Sequence, residues 1–157
     1  MTTAVESQND NDLTLHARCC CKQVEVEATG APVYSVYCHC GTCQNWSGAA
    51  FCHSITFSPD KFKVTQGEDN LMAYKTSPHI TRYTCKTCSS PVVNDCQLPN
   101  LHFKGLESGT IILEHRSKLK DTPYKPAAHL FYPNRLVDVQ DDLPKLDGLP
   151  ESDISAN

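Results

Sequence analysis

Ten cysteines occur in the 157 residues of this chain. Seven of them fall in three tight motifs, Cys19-x-Cys21, Cys38-x-Cys40-x-x-Cys43 and Cys85-x-x-Cys88. A two-residue spacer lets two thiolates face one tetrahedral zinc ion at about 2.3 Å from each sulfur, and a one-residue spacer does so where the chain bends. Seven ligands do not make two closed sets of four, but they do make four and three. The natural division joins Cys19 and Cys21 to Cys85 and Cys88, and leaves Cys38, Cys40 and Cys43 as a set of three. Closed four-ligand zinc sites are structural, and a staple between distant motifs contributes roughly 10 kcal/mol or more of binding free energy to folding. A three-ligand site keeps a position where a substrate sulfur or oxygen can be polarised. The expectation is two Zn²⁺ per chain, one structural and one catalytic.

Two other uses of these cysteines fit less well. A zinc ribbon of Cys40, Cys43, Cys85 and Cys88 needs a gap far longer than the usual spacing of about 15–20 residues, and it strands Cys19, Cys21 and Cys38. A nucleobase-deaminase site needs a His-x-Glu or Cys-x-Glu ligand motif and Pro-Cys-x-x-Cys, whereas Thr84 precedes Cys85.

The setting favours metal over disulfide. The start, MTTAVESQNDND, is polar and acidic and unlike a secretory signal, and no apolar run approaches the roughly 20 residues of a membrane span. The expected location is the cytoplasm, or the nucleus, where thiols stay reduced. A net charge of -4 and a pI of about 5.9 make a poor footprint for nucleic acid. The partner this leaves is a small-molecule substrate, with neither nucleic acid nor membrane.

The elements that must position the thiols read as strands. Period-two alternation marks residues 13–18, 23–28, 62–66, 71–75 and 80–85, with a further strand at 127–132. Turn residues separate them at 29–32, 67–70 and 77–78. A short helical turn is expected at 41–48, and no long apolar stretch of helical period occurs. The chain reads as an all-β domain over 13–140, with a disordered N-terminal tail at 1–12 and an extended acidic tail at 141–157.

The stretches RCCCKQVEVEATGAP, CHCGTCQNWSGAAF and YTCKTCSSPV resemble, in order, three signatures of the glutathione-dependent formaldehyde-activating enzyme family, which also includes centromere protein V. Weaker similarity continues through FKG and AAHLFYPNRL. The resemblance implies an Mss4-like fold of mostly antiparallel sheets stapled by zinc, and the same four-plus-three ligand split. It implies a carbon–sulfur lyase-like activity on a glutathione adduct, as in joining formaldehyde to glutathione. Lys22 and Ser89 stand where the family usually has glycine. A lyase or hydrolase for an unrelated small molecule, or a non-catalytic zinc-stabilised binding module, fits the same ligands.

Among the remaining residues, His129 matches a position often occupied by histidine in the family and is the candidate catalytic residue, with a structural role as its alternative. His39, between two ligands, reads as a solvated loop histidine, and His53 as exposed or packed on a strand. Trp46 and Phe51 flank the open set as pocket walls or core. Cys20, Cys52 and Cys96 are spare, Cys52 reading as a small buried hydrophobe. Lys75, Arg82, Lys86, Lys104 and Arg135 are the cations eligible to hold the carboxylates of glutathione.

Overall fold

The computed structural model describes residues 13–150. The expected tails at 1–12 and beyond 150 lie outside the described residues. Two sheets carry the chain. The smaller holds β1 (Thr14–Arg18), β2 (Glu25–Thr29) and β5 (Phe62–Gln66) in the order β1-β2-β5. The larger contains β3 (Tyr34–Cys38), β4 (Cys52–Phe57), β6 (Leu71–Ser77), β7 (Ile80–Cys85), β8 (Pro91–Leu98), β9 (Leu101–Glu107) and β10 (His129–Leu130). Its order is β10-β3-β4-β9-β8-β7-β6. Every pairing is antiparallel except that of β10 with β3. Among the described residues, helix is confined to α1 (Gly41–Ser47), α2 (Lys118–Asp121) and short 3-10 turns.

Alternation in β1 and β2 sends Leu15, Ala17, Val26 and Ala28 inward, each 1% exposed or less. They meet Ile55 and Phe57 of β4 and Leu106 of β9, and Tyr124 closes one end of this core. Tyr124 donates its hydroxyl to the Gly30 carbonyl at 3.0 Å, so its polar tip is satisfied inside.

Four strands break the period-two reading. Polar Ser35 sits in β3, Ser54 and Thr56 in β4 and Asn94 in β8, while Gly105 interrupts the alternation of β9. Three of these, Ser54, Thr56 and Asn94, line a cavity, so the local pattern gives way to the site. The strand expected at 127–132 shortens to His129–Leu130, because Phe131 turns into the left-handed region at φ 55.

The stretch beginning at 141, expected as an extended acidic tail, is docked in its first part. The His129 amide donates to Pro144 O at 2.8 Å, Leu146 N to His129 O at 2.8 Å and Tyr132 N to Leu146 O at 3.0 Å. A row of backbone bonds outweighs what the acidic composition of this segment suggests.

Candidate metal centres and the cavity beside one of them

The seven motif thiols gather into two groups. Cys19, Cys21, Cys85 and Cys88 form one, and Cys38, Cys40 and Cys43 the other, with the sulfurs of each group within 4.8 Å of one another. A tetrahedral shell at about 2.3 Å places its sulfurs about 3.8 Å apart. Contacts of 3.5 Å between Cys19 and Cys21 and 3.6 Å between Cys21 and Cys85 match that scale. The donor sets therefore fit zinc, four thiols in one and three in the other.

The four-thiol group is made by two similar loops. In the first, Lys22 N donates to Cys19 O at 3.0 Å and Cys19 N to Val24 O at 3.1 Å. In the second, Ser89 N donates to Cys85 O at 2.8 Å and Cys85 N to Ser90 O at 3.0 Å. Each loop turns on a residue with positive φ, Lys22 at 64° and Ser89 at 62°. This is why glycine suits both positions: a Cβ there crowds the backbone. Gly67 meets that demand beside the first loop, since a Cβ on it would lie 2.1 Å from Gln23 O. The sulfurs receive neutral donors, Val24 N on Cys19 at 3.3 Å and Asn70 Nδ2 on Cys85 at 3.4 Å, and Ser90 Oγ lies 3.2 Å from Cys88.

The three-thiol group sits where β3 ends and α1 begins. Cys40 caps α1, its sulfur accepting from Cys43 N at 3.3 Å. Gly48 ends the helix with φ 67, the usual left-handed stop. Arg82 reaches across from β7 and donates from Nη2 to Cys43 Sγ at 3.2 Å. Its Nη1 donates to Asn94 Oδ1 at 3.2 Å and lies 3.9 Å from Glu107 Oε1. Asn94 Nδ2 also donates to Glu107 Oε1 at 2.9 Å, and the Ser54 hydroxyl lies 2.9 and 3.0 Å from the two carboxylate oxygens. Burial pushes the Glu107 carboxyl above the usual range, against these bonds. Burial opposes the Arg82 charge most, but the sulfurs of Cys43 and Cys40 and the Glu107 carboxyl together outweigh it and hold the guanidinium above its ordinary value.

Behind the same loop runs a second chain. His129 Nε2 lies 2.8 Å from Asp141 Oδ2, and His129 Nδ1 lies 2.9 Å from His39 Nε2. Lys145, then His129, hold the Asp141 carboxyl down at about 2, so it accepts only. The network then assigns the proton on His129 to Nε2 and that on His39 to Nε2. Both histidines are 0% exposed, packed among Tyr37, Phe51 and Tyr132. This overturns the reading of His39 as a solvated loop residue: β10 lies against β3 and covers it. Both ring nitrogens of His129 are engaged, leaving none for a substrate in this arrangement. His53 packs on its strand, its Nε2 2.9 Å from Ser35 Oγ.

Cys38, Cys40 and Cys43 open onto a cavity of about 260 Å³. A hollow of about 340 Å³ touches Cys19 and Cys20. It borders a set already holding four thiols, and Cys19 is 1% exposed, so it offers an ion no further position. Trp46 stacks near Tyr74 and lies under Arg82, outside the cavity lining, while Phe51 packs on His39. Cys52 is buried, as expected, and Cys96 lines the cavity.

Arg82 stood among five eligible cations in the sequence, its place mid-strand and three residues before Cys85 being the available hint. Glu107, Asn94 and Asp141 carried no motif; only the pairing of β8 with β9 and of β10 with the segment after 141 brings them to the site.

A family model described as glutathione-dependent formaldehyde-activating enzyme matches residues 14–134. No curated protein matches the chain. Among solved structures, a crystal structure of a Rhodobacter sphaeroides protein is similar at TM-score 0.51 and 18% identity, over 69% of this chain and 97% of that one. At that identity the likeness concerns the fold alone.

Proposed function

The chain belongs to the glutathione-dependent formaldehyde-activating enzyme family, and on that premise we propose that it is a zinc-dependent carbon–sulfur lyase or a related enzyme acting on a thiol adduct or small electrophile. Two zinc ions complete it. Cys19, Cys21, Cys85 and Cys88 hold the structural one and staple an Mss4-like pair of sheets. Cys38, Cys40 and Cys43 hold the catalytic one. The observation that carries the reading is that the three-thiol set, with a tetrahedral position to spare, opens onto a cavity.

Zinc held there supplies a Lewis-acidic position for a thiolate sulfur or a carbonyl oxygen. The chain supplies the rest. Arg82 places a fixed positive charge on Cys43 and offsets one of three thiolate charges. Glu107, Asn94 and Ser54 hold Arg82 in that pose. His129 acts as a positioning residue: anchored by Asp141, it orients His39 between two ligands. The buried strand face of Val36 and Leu130 keeps water from the reacting atoms.

The test is release of free thiol from a panel of thiol–aldehyde adducts, S-hydroxymethylglutathione among them, by the zinc-loaded protein. Cys40→Ser should lower the rate at least about 100-fold and lower the zinc content by one ion without unfolding the chain. Full activity in Cys40→Ser would overturn the proposal.

A further inference from the structure

The cavity in front of the three thiols is poorly suited to a charged tripeptide. At about 260 Å³ it falls just below the range of roughly 300–1,000 Å³ found for drug-sized ligands. Its apolar walls include Val36, Ile80, Leu98, Phe103, Leu130 and Leu149. Glutathione brings two carboxylates, and burying a carboxylate without a counter-charge is strongly unfavourable. Of the five cations that could receive them, only Arg82 lines the cavity. That guanidinium is 4% exposed, and its charge is already met by Cys43 and Glu107. Lys86 donates to Asp69 O beside the four-thiol group, and Arg135 pairs with Asp138. Lys104 lies on β9 opposite Asp95, and Lys75 is exposed on β6. His79, exposed at the rim, is the other basic residue of the lining. Ser54 and Asn94 face the cavity but are bonded to Glu107.

We propose that this site takes a compact, uncharged substrate with an apolar body and a single thiol, thiohemiacetal or carbonyl head turned toward Cys38, Cys40 and Cys43. The proposal rests on the reading of those three thiols as a zinc centre with an open position. Apolar walls reward an apolar body in proportion to the area it buries, and a small lining whose one cation, Arg82, is already paired leaves charged ends outside.

Calorimetry of the full zinc-loaded chain with phenylmethanethiol and with glutathione, compared at equal thiolate concentration, tests it. Phenylmethanethiol should bind at least about tenfold more tightly. Leu98→Asp, at the half-buried end of β8, should weaken phenylmethanethiol about tenfold and leave the thiolate-to-cobalt absorption of the cobalt(II)-substituted protein unchanged. Glutathione binding as tightly as phenylmethanethiol, or unchanged affinity in Leu98→Asp, would overturn the substrate class and leave the zinc centre standing. Binding of neither thiol to the zinc-loaded protein would overturn the open-position reading itself, and this inference with it.

Discussion

The two cysteine groups use the same ligand and differ in everything around it. The four-thiol group is held by two short loops, one after β1 and one after β7, far apart in sequence. Its neighbours are amides and hydroxyls, from Val24, Asn70 and Ser90. The three-thiol group comes from one continuous segment, 38–43, and is ringed by groups that carry or exchange charge: Arg82 and Glu107 on one side, His39, His129 and Asp141 on the other. A four-thiolate zinc shell is complete in itself and needs only neutral donors. A three-thiolate shell has a position to fill, and its surroundings decide what fills it. On the proposed function, the difference is that between a staple and a site.

The largest expected contrast follows from that division. Cys85→Ser should abolish folding or leave an aggregating protein, because it opens a closed shell contributing on the order of 10 kcal/mol. Cys40→Ser should keep the fold, since Cys38 stays tied into β3 and a serine can still cap α1. Thermal melts of the two variants decide it. Equal, large losses in both would make the second group structural too.

Charge in the three-thiol half gives the next contrast. Arg82→Gln strands the buried Glu107 carboxylate and should cost about 3 kcal/mol of unfolding free energy. Adding Glu107→Gln should restore at least about half of that loss. Denaturant unfolding of the zinc-loaded single and double variants measures both. Asn70→Ala, beside the four-thiol group, removes a neutral donor and should cost only about 1 kcal/mol.

Acid acts on the fold through a histidine of β4 that is bonded to Ser35. Burial lowers His53 from 6.5 to about 4. The unfolded chain then takes up a proton between these values that the folded chain refuses. The contribution of His53 is therefore whole above about pH 6.5 and is lost as pH falls toward 4, on the order of 2 kcal/mol. Unfolding at pH 7.5 and 4.5 should show this component in the native sequence and lose it in His53→Asn. An unchanged pH difference in the variant would assign acid sensitivity elsewhere.

The smallest effect belongs to the loops. Lys22→Gly and Ser89→Gly relieve a left-handed residue and should each stabilise the protein by about 0.5–1 kcal/mol, within the cost of that conformation less the added freedom of the unfolded chain. A loss of stability in both would mean that the side chains of Lys22 and Ser89, not their backbone angles, matter.

Much of this was legible because thiols are rare and their spacing is tied to ion geometry. Counting alone divides Cys19, Cys21, Cys85 and Cys88 from Cys38, Cys40 and Cys43. Strands β1, β2, β5 and β7 were readable because solvent lies on one side and core on the other, and β6, an edge strand with no buried residue, through its own alternation and the turn at 77–78. β3, β4, β8 and β9 were not, because one face of each looks onto a cavity that needs Ser54, Thr56 and Asn94. His39 was misread because nothing local says that β10, some 90 residues later, will cover it. Asp141 and Leu149 read as tail because their roles depend on backbone bonds to β10, which leave no local pattern.

The division of labour between the two groups is tested most directly by native mass spectrometry of the full chain along a chelator titration, with circular dichroism recorded at each step. Two zinc ions should be present at the start. One should leave at low chelator with the β-sheet signal intact, and the second should leave only as that signal collapses. A single zinc that never rises to two on zinc addition, or two ions lost together with the fold, would contradict the account.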